Sequence, residues 1–208
     1  MVESNNTIKR AKFAEVGEMI ELHHFHNWNE YTDEDAECDD EKATENADVV
    51  EGELESLESI LTPHEYEKVE KPEDVLASSA KTSLKDVLHA MHLSIVPQFD
   101  AKLHAKDKVK GLALEFRAFP AIELTVCLVK SYPSSRAPLI ALKGPFYQRF
   151  KSTVLSKLTE LWCEDSPAIY EMVNLIQYEL LPALIEEYPE ELVQDDNGDI
   201  TIEFDNAQ

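Results

Sequence analysis

Apolar residues recur at Leu54, Leu57, Ile60 and Leu61, the three-to-four-residue period of a helix with one buried stripe. Pro63 stops it. Upstream, residues 32–50 are mostly acid and alanine and read as a linker, so the helix is expected from residue 51. Farther upstream, Ile8, Phe13, Val16, Met19, Ile20 and Phe25 fall at loosely helical spacing, followed by a polar stretch holding His23, His24, His26, Trp28 and Tyr31. Downstream, residues 62–86 carry Pro72 and a serine-rich patch, and read as a long polar loop.

A period of two follows. In Val87–Val96, Val87, His89, Met91, Leu93 and Ile95 fall on one side, and Leu88, Ala90, His92, Ser94 and Val96 on the other. Pro97 interrupts this strand, which the pattern resumes in residues 99–104. Leu112–Phe119 is a second strand. Pro120-Ala121 is too short for a crossover helix, so an antiparallel hairpin with Ile122–Val129 is expected. A short strand over Pro138–Leu142 closes a four-stranded antiparallel meander.

Two helical stripes complete the pattern. Phe146, Phe150, Val154, Leu158, Leu161 and Trp162 form one, ending near Cys163. Ile169, Met172, Val173, Ile176, Leu180 and Leu184 form the other, with Ser166 as the expected N-cap and Pro167 at the first helical position. Pro182 should loosen the final turn, because it has no N–H for the carbonyl of residue 178. The pattern predicts an α+β fold, a two-layer sandwich of helix, four-stranded antiparallel meander and two helices. Residues 51–187 form the domain. Residues 1–50 are a flexible acidic N-terminal region with a short helix, and residues 188–208 an acidic C-terminal tail or linker.

Charge sharpens this division. The 208-residue chain has a formal net charge of -23. Residues 30–58 hold fourteen acids against Lys42, and residues 186–208 hold nine acids and no base. Between them, 15 acids balance 15 bases. The acidic flanks disfavour nucleic acid and anionic membrane and suit a basic protein partner. No apolar run approaches the roughly 18 residues of a membrane span, and the N-terminus lacks the apolar run of a secretory signal. Cys38, Cys127 and Cys163 are odd in number and widely spaced, which suggests neither a disulfide framework nor zinc. A cytoplasmic or nuclear setting and a monomer are expected.

Little in the sequence suggests catalysis, a metal or a cofactor. Cys127 lies in an apolar strand and reads as structural, while Glu164 and Asp165 beside Cys163 make it a poor nucleophile. His64, His89, His92 and His104 are isolated, and the three N-terminal histidines have no ligand-like order around them. The sharpest local feature is Ser131-Tyr132-Pro133-Ser134-Ser135-Arg136-Ala137-Pro138. Its prolines fix φ near about -65° and withdraw two donors, and Tyr132 can pack its ring while bonding through its hydroxyl. Tyr132, Pro133 and Pro138 are therefore structural candidates, and Tyr132→Ala is expected to cost about 1–3 kcal/mol. Ser134, Ser135 and Arg136 are candidates for an exposed binding surface.

The segment YPSSRAP, residues 132–138, resembles the YPxxxxP signature of RWD domains, which share a fold with ubiquitin-conjugating enzymes but lack their catalytic cysteine. Glu53–Ile60 resembles the family's acidic first helix. Residues 111–135 and the segment around Leu161-Trp162 resemble the N-terminal RWD region of RING-between-RING (RBR) ubiquitin ligases of the androgen-receptor-associated type. The likeness covers about residues 51–187. It implies a non-catalytic module that recruits protein partners or ubiquitin-pathway substrates, with any transferase chemistry elsewhere in the parent protein. Among the implied partners is the ribosome-associated activator of the amino-acid-starvation kinase, which a stand-alone RWD adaptor would bind equally.

Overall fold

A computed structural model of the chain describes residues 40–70, 87–107, 113–116, 119–143 and 150–204. The expected N-terminal helix and the histidine and aromatic cluster after it lie outside these residues.

Helix α1 (Asp40–Ile60) starts within the stretch expected to be a linker. Its surface is strongly acidic, with like charges one turn apart at Glu41/Glu45 and Glu51/Glu55. Each such pair costs only about 0.2–0.5 kcal/mol. Burying Val50, Leu54, Leu57 and Leu61 contributes about 1.5–3 kcal/mol per side chain, so tertiary packing outweighs the repulsion. Leu54, Leu57 and Leu61 belong to the expected stripe, and Val50, inside the stretch read as a linker, extends it by a turn. The stripe includes two polar residues, Asn46 and Glu53, both buried.

The fold is α+β, with an N-terminal helix, a four-stranded antiparallel sheet and C-terminal helices. The sheet runs β1 (Tyr66–Lys68), β2 (Val87–Ile95), β5 (Ile122–Val129), β6 (Leu139–Lys143), in the order β1-β2-β5-β6. In register, Met91 faces Val126 and Leu93 faces Leu124, while Val126 faces Ile140 and Leu124 faces Leu142. These residues form the core face, against which the helices pack. The opposite face has a small apolar cluster of Ala90, Cys127, Leu139 and Ala141. It turns polar farther along, where Ser94 Oγ donates to Glu123 Oε1 at 2.7 Å.

The strand membership differs from the sequence reading. β1 lies in the stretch read as a loop. β3 (Leu103–Asp107) and β4 (Ala113–Phe116) leave this sheet and pair with each other, so β4 forms no hairpin with β5. They join β7 (Leu192–Gln194) and β8 (Ile200–Phe204) in a second sheet, ordered β4-β3-β8-β7, with β3 and β8 parallel. Residues 192–204 are therefore part of the fold and not a tail. Leu192 and Ile200 are buried, and this apolar anchoring outweighs the acidity around them.

Helix α2 (Lys151–Thr159) buries Val154, Leu155 and Leu158. Helix α3 (Ile169–Asn174) passes through a π-helical turn (Leu175–Glu179) into α4 (Leu180–Glu187). All six residues of the expected stripe are buried. The distortion falls just before Pro182, where Leu180 N donates to Leu175 O. Widening the helix there accommodates a residue that has no N–H and whose ring crowds the preceding turn. Among the described residues, no helix is long and apolar enough to cross a membrane.

Candidate functional site

The loop between β5 and β6 is built from its own turns and from two distant segments. Tyr132 N donates to Val129 O at 3.0 Å and Ser135 N to Ser131 O at 2.9 Å. The Tyr132–Pro133 peptide bond is cis. Tyr132 and Pro133 are buried, as is Pro138.

The first distant segment is α1. Asn46 Nδ2 donates to Lys130 O at 2.8 Å and to Ser134 Oγ at 3.0 Å. Ser134 Oγ in turn donates to Ser131 O at 3.2 Å. Farther along the same stripe, Glu53 Oε2 accepts from the Tyr132 hydroxyl at 2.8 Å. That hydroxyl accepts from Ala168 N at 2.7 Å, and Glu53 Oε1 accepts from Ile169 N at 2.6 Å. A carboxylate on α1 and a tyrosine on the loop thus satisfy the first backbone donors of α3. Burial pushes the Glu53 carboxyl up, although its hydrogen bonds from Tyr132 and Ile169 favour the charged form. Burial, then the neighbouring Glu53 charge, pushes the Tyr132 phenol up.

The second segment follows α2. Trp162 Nε1 and Asp165 N both donate to Pro133 O, at 3.1 and 3.2 Å. Cys163 and Ser166 form an isolated antiparallel bridge, with Asp165 between them at φ 62°, a conformation that aspartate tolerates better than most residues. Asp165 Oδ1 lies 2.9 Å from Lys42 Nζ on α1. Ser166 belongs to this bend and does not cap the helix. The cap position is Ala168, with no side-chain cap of its own, because Glu53 and Tyr132 bond its first donors from outside the helix.

The candidate residues therefore separate. Tyr132, Pro133 and Pro138 lie in the interior. Ser134, expected to be exposed, is buried and bonded to Asn46, since its hydroxyl satisfies groups inside the turn. Ser135 is exposed and Arg136 half-buried, so of the three candidates only this pair reaches solvent. Sequence reasoning missed Asn46 and Glu53. Their signal was positional: each is a polar residue on the stripe that holds Val50, Leu54 and Leu57.

The cysteines differ in setting. Cys127 is fully buried in β5, and burial pushes its thiol up to about 12, which suits packing and not nucleophilic attack. Cys163 is exposed at the bend. Among the described residues, no group of three His, Cys, Asp or Glu is placed to hold a metal ion.

Comparison with protein families gives a match to the RWD domain over residues 48–180, more than half of the chain. The chain belongs to the RWD domain family. The matched region runs from within α1 to the start of α4 and contains the whole buried tyrosine loop. Strands β7 and β8 lie beyond it. No curated protein and no solved structure matches the chain. As an RWD domain, it is a protein-interaction module.

Proposed function

We propose that this RWD domain is the partner- or substrate-recruiting arm of an RBR-type ubiquitin ligase, acting as a monomer in the cytoplasm and nucleus. The supporting observation joins the two stretches that resemble that ligase group. The Trp162 indole donates to the Pro133 carbonyl, so residues 111–135 and the tryptophan segment meet at one point of the fold. A ubiquitin-pathway substrate or the ribosome-associated activator of the starvation kinase is the proposed partner.

The test is affinity capture from cell extract with the intact chain, comparing wild type with Ser135→Glu/Arg136→Glu. Retention of a ubiquitin-pathway or ribosome-associated protein, weakened in the variant, supports recruitment through the loop. Equal retention by both chains moves the recruiting surface elsewhere. Retention of neither class of partner sinks the proposal.

A further inference from the structure

Four of the seven large apolar side chains exposed among the described residues lie around one groove. Ile60, Val96, Tyr170 and Tyr178 are 51, 40, 49 and 52% exposed. The groove comprises two depressions of about 380 and 460 Å³ that meet at Gln98 and Tyr178. Gln98 N donates to Gln177 O at 2.7 Å, fastening one wall to the π-helical turn. Such turns frequently occur at functional sites. Glu65 and Asp100 contribute carboxylates to the lining, and none of the described residues that line it is a lysine or arginine. A groove with this lining suits an apolar segment that carries cations.

We propose that residues 8–20 of this same chain occupy the groove. The segment reads Ile-Lys-Arg-Ala-Lys-Phe-Ala-Glu-Val-Gly-Glu-Met-Ile. It sets Lys9, Arg10 and Lys12 beside Ile8 and Phe13, whereas residues 30–58 contain Lys42 as their one base. Its reach also matches. The groove lies at the C-terminal end of α1, about 30 Å from Asp40 for a helix of this length. Ile20, the last residue of the segment, precedes Asp40 by 20 residues, and a coil of that length would span roughly 25 Å, somewhat more where its acids repel. A tether matched to its span gives an effective concentration on the order of millimolar, so modest contacts suffice. An external partner for this surface would have to displace the chain's own N-terminal segment.

The test uses the full chain and the variant Lys9→Glu/Arg10→Glu/Lys12→Glu/Phe13→Ala, whose changes lie outside the described fold. Amide resonances of Ile60, Gln98, Tyr170, Gln177 and Tyr178 should differ between the two chains. A synthetic peptide of residues 5–22 should bind the variant chain about tenfold or more tightly than wild type, because the competing segment has been disabled. Matching groove resonances in the two chains overturn the proposal, and so does equal peptide affinity. Groove shifts that scale with protein concentration also overturn it, since a second copy would then be the occupant.

Discussion

Replacing Tyr132 with phenylalanine keeps the ring and removes only the hydroxyl that links Glu53 to Ala168 N. One buried backbone donor then has no partner and one buried carboxylate loses a donor. The expected cost is about 1–3 kcal/mol in urea unfolding, and an unchanged midpoint would show the link to be dispensable. Because the ring is fully buried, Tyr132→Ala should cost more than the sequence alone suggested, about 3–5 kcal/mol. Glu53 makes a separate, pH-dependent contribution. Burial raises its carboxyl above the unfolded value of about 4.3, so the folded chain holds the proton more tightly than the unfolded one. Stability from this group is therefore complete below that value and is lost as pH rises through the folded value. Denaturation from about pH 4 to pH 7 should show wild type losing more stability than Glu53→Gln. Parallel curves would mean that the carboxyl titrates alike in both states.

Elements were legible where burial imposed a strict period, and illegible where partners lay far away in sequence. β2, β5 and β6 and the α3–α4 stripe follow their apolar alternation closely. β1 is three residues long with no fully buried side chain, so it left no pattern to read. β4 was assigned to β5 through the short Pro120-Ala121 link, but its ladder runs to β3. In β8, Ile200, Ile202 and Phe204 alternate with Thr201 and Glu203, a strand period overshadowed by the acidity on either side. Removing residues 188–208 should therefore speed amide exchange in β3, which loses its parallel partner, while β5 stays protected. Unchanged exchange in β3 would return those residues to the status of a tail. The tyrosine loop was legible from its prolines, but its anchors on α1 were not, because one sequence does not reveal which buried polar group another segment will meet.

Across the whole molecule, self-repulsion follows from the net charge of -23. α1 carries most of one acidic run and is held by its apolar stripe against its own repulsion. Screening relieves that repulsion without touching the buried contacts. Raising salt from about 20 mM to about 500 mM should therefore raise the thermal midpoint; a lower midpoint would mean that surface ion pairs such as Lys42–Asp165 outweigh the repulsion. The cap that α1 lends to α3 reaches further. Glu53 supplies in space what the sequence around residue 168 omits, so the stretch that carries α1 and β1 should complement the rest of the fold even as a separate fragment. Cleaving the chain between residues 70 and 87 should leave two pieces that reassemble, with a peptide ending in that interval acting as the missing key for the remainder.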